Sequence, residues 1–424
     1  MKIAILGSGI NGVLSAYFLA RSGCEVVVLE KEAQSAAGCS LANGGQLSFS
    51  HIEPWSSSAS ILETFKAAIF PNSFLSVTDF KNKEFFKWAC SFIGNSGEKK
   101  SKIISQRLFK LGSLSKQVLH EIMSREKIDF CYQQNGILHF YRNEKLFNKA
   151  IIKAKYQKSL GVNLKIISAK ECVKIEPTLT KIFDDQTLKG GIFFPDDASG
   201  DCAAFIKGLE QICQNKLGVK FHYNCEVKNI LTNHKKVTGI NTSQGVFTAD
   251  SYLSCLGAYG NSLLQGIKID SKIYPLKGYS LSIPTDELFL APKIALTDAE
   301  NKIVYSRLGN VFRAAGSVEI NGLKTNLNPK NLNFLTNSIR QTYSDYGDLK
   351  HSKQWAGFRP FRPDSLPLVF RAKKYGNLFL NSGHGSLGWT LSFATSKLVS
   401  NIILDQKNGD DFEFLEDMER KVYF

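Results

Sequence analysis

A chain of 424 residues is too long for one small core, and its length leads us to expect two or three domains. Its 43% apolar and 21% charged residues are ordinary for a soluble globular protein and exclude wholesale disorder. The formal net charge of +15 is spread over short clusters such as Lys99, Lys100 and Lys102, or Lys235 and Lys236; with no long basic run, zinc-finger spacing or RRM-type aromatic signature, nucleic acid is not an expected partner, and the charge is compatible either with loose contact with an anionic inner-membrane face or with a plain compositional bias toward lysine.

The chain opens on a strand, a tight turn, a helix and a strand. Lys2 to Leu6 is a short apolar run, Ile10 to Arg21 has helical spacing, Gly23 ends that helix, and Glu25 to Leu29 is β-branched. This βαβ unit implies a parallel sheet. Glycines at 7, 9 and 12 break the apolar stretch, so it does not read as a signal peptide. No window offers about 18 uninterrupted apolar residues for a membrane span. Residues 34–60 read as an ordered loop segment, and 60–126 as helical, with Ile104, Leu108, Leu111, Val118 and Ile122 on one face. A strand over Gly136 to Arg142 and a helix over 144–160 follow. Ser168 and Glu171 form a capping box for a short helix closed by Pro177.

Gly190 to Phe194 is the next strand, and Asp201 caps a helix running to about Lys216. Short strands then fill 218–256 and 272–316, with Leu308-Gly309-Asn310 as a hairpin turn. Residues 328–346 read as helix, 355–381 as strands punctuated by proline, and Gly385 to Leu404 as the last helix. The nine cysteines include no C-x-x-C pair, which points to reduced thiols in a cytoplasmic protein and to no metal site.

Gly7-Ser8-Gly9-Ile10-Asn11-Gly12 is G-x-G-x-x-G between a strand and a helix, with Glu30 ending the second strand 18 residues after Gly12. In that context Gly7 makes the turn, Gly9 lets a pyrophosphate approach, and Gly12 allows helix and strand to pack closely. The helix start faces the phosphates, Glu30 accepts from ribose hydroxyls, and its charge disfavours NADP. Lys31 beside it and Val227 complete this group of candidate contacts.

Three further segments favour FAD over NAD. Ser40-Leu41-Ala42-Asn43-Gly44-Gly45-Gln46 is small and polar enough to run along a diphosphate and lie under a flavin ring. Ser254-Cys255-Leu256-Gly257-Ala258 leaves a buried strand beside the first turn. In Asn381-Ser382-Gly383-His384-Gly385-Ser386-Leu387-Gly388-Trp389-Thr390 a strand, a glycine turn and a helix start follow in order. A helix start aimed at the flavin would stabilise the reduced ring by about 0.3–1 kcal/mol, or up to ~2 when partly buried, and His384 is a candidate to add to this.

Together these segments resemble the glycine-oxidase and D-amino-acid-oxidase superfamily of flavoproteins, and within it most of all the bacterial D-amino acid dehydrogenase small subunits. Ala42-Asn43-Gly44-Gly45-Gln46-Leu47-Ser48 with Pro54-Trp55, Pro275-Leu276-Lys277-Gly278-Tyr279-Ser280, Gly357-Phe358-Arg359-Pro360 with Asp364, and Asn381 to Thr390 carry the likeness, which runs to about residue 405. Three departures stand out: Gly44 where the family usually has Ala, a second arginine in Phe361-Arg362, and His51 and Glu53 near the site.

The resemblance implies an α/β plus α+β architecture. A Rossmann-like FAD-binding domain is expected over 1–58, 155–258 and 350–424. A discontinuous substrate domain on an antiparallel or mixed β-sheet is expected over 59–154 and 259–349. It also implies non-covalent FAD, oxidation of a small D-amino acid to a 2-oxo acid and ammonia, and a quinone or respiratory acceptor. The chemistry needs an anchor for the substrate carboxylate rather than an acid/base pair. A guanidinium suits it, and the resemblance places Arg359 there, with Arg313 as second candidate and Tyr279 as a further carboxylate contact or pocket wall. The competing readings are an oxidase of glycine, sarcosine or proline on the same fold, a flavin-bearing RNA-modifying module, and a flavoprotein that has lost catalysis and serves as a binding partner.

Overall fold

The computed structural model describes residues 1–50, 53–55, 74–78, 82–285 and 291–406. The first three elements fall where their hydrophobic spacing puts them: a strand Lys2–Leu6, a helix Ile10–Arg21 and a strand Glu25–Leu29. The two strands pair in parallel, and Ile3, Ile5 and Val28 are wholly buried. Each such side chain contributes about 1.5–3 kcal/mol on leaving water, enough to hold a sheet covered on both faces.

Four more strands complete a six-stranded sheet, in the order Leu368–Arg371, Leu378–Ser382, Ser251–Ser254, Lys2–Leu6, Glu25–Leu29 and Lys220–His222. All pairings are parallel except that of the edge strand Leu368–Arg371. The helices Ile10–Arg21, Cys202–Leu217 and Gly388–Ile403 cover one face around a core that includes Leu14, Phe205 and Leu391. Beside the other face lies a three-stranded antiparallel sheet, Val227–Asn233, Lys236–Thr242 and Gly245–Phe247.

The second large sheet has nine strands. One end is the antiparallel set Lys353–Phe361, Tyr274–Pro284, Val311–Ile320 and Ile303–Leu308, and the sheet continues through Ala295–Asp298, Ile137–Tyr141, Gly190–Phe194 and Lys165–Ser168. Gly309, at φ +61, makes the expected hairpin turn. The helix Pro329–Thr342 buries Leu332, Leu335 and Ile339 against the face opposite the site. Side-chain caps hold the shorter helices as expected: Ser168 and Glu171 form a reciprocal box, and Asp201 accepts from Ala203 and Ala204.

Two expectations are corrected, and one helix lies in a stretch for which no element was expected. The stretch read as helical from 60 contains a strand, Leu75–Val77, paired with Val318–Ile320, ahead of the helices Lys83–Gly94 and Glu98–Arg125; residues 56–73 lie outside the described residues. Three residues carry too little periodicity to separate strand from helix. Gly260–Gly266 forms a helix that its two terminal glycines disguised. Lys165–Ser168 and Gly190–Phe194 are hydrogen-bonded into the nine-stranded sheet, so the segment 155–258, expected wholly on the nucleotide side, supplies strands to both sheets. None of the nine cysteines is paired, and no helix among the described residues is long and apolar enough to cross a membrane.

Candidate active site

A cavity of about 1040 Å³ runs between the two large sheets. One end is the first glycine turn. Gly7 sits at φ +95, and a Cβ on Gly12 would lie 1.9 Å from the Gly7 carbonyl oxygen, so both positions exclude larger residues. A Cβ on Gly9 would meet only Ser40 Oγ, at 3.5 Å, so the chain itself does not demand glycine there. A ligand closing on the backbone would. The following helix has no side-chain cap and no acid in its first turn, and Asn11 Oδ1 is buried without a partner. Glu30 accepts from the Ser8 amide and hydroxyl, both at 2.8 Å, and from the Glu32 amide at 3.0 Å. Lys31 sits 4.0 Å above the Tyr259 ring, and Val227 and Gly257 line the same end. The Ile10 amide donates to Ser40 Oγ at 3.2 Å; the next donors of the helix start, the close backbone approach and an orphaned amide oxygen fit the phosphates and ribose of a dinucleotide.

The middle of the cavity is walled by Asn43, Gly44, Gly45 and Gln46 on one side and by His384, Gly385 and Leu387 to Thr390 on another. The loop is well tethered. Gln46–Leu47 pairs with Ala198–Ser199, the Gln46 amide donates to the Leu296 carbonyl at 2.9 Å, and the Ser50 amide donates to Asp197 at 2.8 Å. Burial raises the Asp197 carboxyl to about 7, against the pull of the Ser50 bond. Arg313 belongs to this scaffold. Its guanidinium donates to the Asn43 carbonyl at 3.3 Å and to Ser282 Oγ at 3.1 Å, and it is not part of the cavity wall. It holds the loop, with its guanidinium engaged by these two bonds.

The last helix, Gly388–Ile403, starts at the wall without a side-chain cap or a first-turn acid. His384 precedes it, buried, with Nδ1 3.3 Å from Asn11 Nδ2 and Nε2 3.0 Å from Thr395 Oγ1. Burial lowers its pKa to about 3, so the ring is neutral and adds no positive charge to the helix start. It ties the first helix to the last. Trp389 is at once core and wall, with its ring 5.2 Å from Phe393 and 5.4 Å from Phe205. Ser8, Gly12 and Gly383 lie behind the wall; a Cβ on Gly383 would strike Arg362 Cδ at 2.7 Å.

The other end rests on the nine-stranded sheet. Gly278 and Gly357 face each other across adjacent strands. A Cβ on Gly278 would lie 2.4 Å from Arg359 Cζ, and one on Gly357 would lie 2.0 Å from Trp355 Cη2. The two missing side chains therefore leave room for a guanidinium and an indole laid side by side on the sheet. Arg359 Nη1 donates to the Ser317 carbonyl at 3.1 Å, at a bulge where Ser317 takes φ +58. Burial pulls the Arg359 guanidinium below its ordinary value, a shift that Cys39 opposes, and an arginine remains charged throughout.

Tyr279 borders the cavity, but its ring packs in the core on the opposite face of the sheet, and its hydroxyl donates to Glu319 at 2.5 Å and accepts from the Asn328 amide. It is engaged inside the protein and not offered to a carboxylate. Lys277 is fully buried, 3.3 Å from the same Glu319. The second arginine, Arg362, is bound bidentately by Asp364 and donates to the Ser271 carbonyl, so it too serves the scaffold. Glu53 lines the cavity and pairs with Lys153 at 3.0 Å, while His51 lies outside the described residues. Sequence reasoning missed Trp355. Its place two and four residues before Gly357 and Arg359, on one face of a strand, was the available signal.

The FAD dependent oxidoreductase (DAO) family model matches residues 2–402. A D-amino acid dehydrogenase of Paramagnetospirillum magneticum is 34% identical, with 95% of each chain covered. One of Azorhizobium caulinodans is 32% identical, over 96% of this chain and 97% of that protein. Among solved structures, glycine oxidase from Bacillus cereus matches with a TM-score of 0.74 at 18% identity, covering 96% of each chain. L-proline dehydrogenase from P. horikoshii matches at 0.70 and 18%, covering 98% of each.

Proposed function

Because the chain belongs to the FAD dependent oxidoreductase (DAO) family, we propose that it oxidises a small D-amino acid such as D-alanine at its α-carbon, giving an imino acid that water converts to a 2-oxo acid and ammonia. The observation that carries this reading is Arg359, a half-buried guanidinium lodged over Gly278 and opening on the same cavity as the glycine turns. Bound FAD supplies the acceptor for the hydride that leaves the α-carbon.

The chain's own residues position the substrate. Arg359 takes the carboxylate as a bidentate, charge-assisted pair contributing about 1.5–3 kcal/mol. The ring of Trp355, laid beside the guanidinium on the same face of the sheet, limits the space next to it, which favours a short side chain. No side chain is asked to move a proton: Tyr279 and Lys277 are both committed to Glu319, and the amine need only arrive neutral. FAD is held without a covalent link in this reading. Cys39, in the cavity wall, has its thiol pushed up by burial, which works against the thiolate that attachment would need. The acceptor is a quinone or another respiratory carrier, a reading supported by relatives that bear the name dehydrogenase.

Anaerobic mixing of the holoenzyme with a panel of D- and L-amino acids tests this directly. Small D-amino acids should bleach the flavin, and aerobic turnover should yield little peroxide. Arg359→Ala should stay yellow and lose roughly ten- to a hundredfold in kcat/KM. Full activity in that variant, or bleaching by L-amino acids alone, would overturn the assignment.

A further inference from the structure

The cavity has a second arm that amino-acid binding leaves unused. On the face of the nine-stranded sheet that bears Trp355 and Arg359, paired residues continue strand by strand through Ser280, Ala315, Val304, Thr297 and His139 to Ile192. From the Trp355 strand to the His139 strand is five steps of ~4.8 Å, roughly 24 Å, several times the reach of one amino acid. The cradle loop sits on the middle of this row. A Cβ on Gly44 would meet Val304, and Gln46 bonds Leu296 and Thr297. The Arg359 arm therefore opens on one side of the loop and the His139 arm on the other.

The two arms differ in chemistry. The floor of the second is His139 and Tyr141, with the His139 ring 5.1 Å from that of Phe194. Burial raises the Tyr141 phenol, with Glu53 adding to the shift, so it stays protonated. Leu146, Ala150 and Ala154 of the helix Glu144–Ser159 face the arm, Lys149 and Lys153 rim it, and Glu53 roofs it through its pair with Lys153. The arm thus offers flat apolar walls, an imidazole and a phenol at the floor, a cationic rim, and no guanidinium like that of the first arm. Those features suit a planar apolar ring bearing carbonyl oxygens.

We propose that this second arm receives a lipophilic quinone, the oxidising co-substrate of the reaction. The proposal rests on the amino-acid-oxidising reading above. One C–H and one N–H bond of the amino acid break, and the quinone takes up those two electrons and two protons as two O–H bonds and leaves as the quinol. Oxidation and reduction then occupy different arms, so an amino acid and a quinone need not compete.

The test narrows the arm with Ala150→Trp and, as a milder second variant, Ala150→Phe, in the FAD-loaded protein. Ala150 is only half-buried, so both variants should fold. Equilibrium binding of decyl-ubiquinone to the oxidised protein should weaken about tenfold or more, and KM for decyl-ubiquinone should rise in step. Anaerobic bleaching by D-alanine and turnover with ferricyanide, a small hydrophilic acceptor, should stay within about twofold. Unchanged quinone binding in both folded variants overturns the proposal, as does competitive inhibition of D-alanine oxidation by decyl-ubiquinone. Failure of every amino acid to bleach the wild-type flavin, with arm-dependent quinone binding intact, instead sinks the amino-acid reading alone.

Discussion

The guanidinium of Arg359 fills the volume that a side chain at Gly278 would need. Neither Gly278 nor its partner Gly357 takes a left-handed φ, so the backbone tolerates alanine at both. Gly278→Ala should therefore fold and bind FAD with a melting temperature close to that of the parent. Its methyl must displace the guanidinium, and KM for the amino acid should rise about tenfold in steady-state assays; an unchanged KM would remove Arg359 from the site. His384 makes the opposite point about reading residues. In G-H-G beside a helix start it looks like a positive charge for the ring, but the fold buries it and lowers its pKa to about 3. Nothing in three letters of motif reports burial. The consequence has a sign. Between about pH 6.5 and 3 the unfolded chain binds a proton at His384 that the folded chain does not, so stability is full above pH 6.5 and falls on acidification. His384→Gln should melt lower than the parent at pH 7.5, yet lose less between pH 6.5 and 4.5 when the two are followed by thermal denaturation.

At the scale of elements, what could be read from the chain was local, and what could not was a partner distant in sequence. The opening strand, turn, helix and strand, the Ser168 box and the Asp201 cap match because propensity, periodicity and capping all act within a few residues. The cradle loop was legible as a small-residue segment, but its supports were not. Its pairing with Ala198–Ser199 and the hold of Arg313 on Asn43 join residues more than a hundred positions apart. The same holds for Gly44, which looked like a mild departure from alanine. A Cβ there would lie 2.2 Å from Val304 Cγ2, so position 44 is matched to a valine on the sheet beneath it. Overfilling a packed site costs about 1–3 kcal/mol. Gly44→Ala should lower stability by that amount, and Gly44→Ala/Val304→Ala should recover most of it. A double-mutant cycle in urea measures the coupling, and additive losses would show that the two side chains do not meet.

Across the whole molecule, three stretches far apart in the chain become neighbours because Lys2–Leu6, Ser251–Ser254 and Leu378–Ser382 pair side by side in one sheet. The cofactor-type motifs at the start, middle and end of the sequence already hinted at that convergence. The order of the nine-stranded sheet gave no such hint, since its pairings link residue 75 to residue 318 and residue 137 to residue 295, with residue 192 then added beside residue 139. A dinucleotide long enough to span the cavity between the two sheets would be buried by both. Ligand bound only to the folded state at a thousand times its Kd contributes about 4.1 kcal/mol. With an unfolding entropy of roughly 2.1 cal/mol/K per residue, a chain of this length should then melt about 5 °C higher with FAD than without. ADP engages only the glycine-turn end and FMN only the ring end, so each should give a smaller rise than FAD in the same calorimetric scan. Equal shifts from ADP and FAD would mean that the ring makes no contact between Gln46 and His384, and the site would then lose its redox centre.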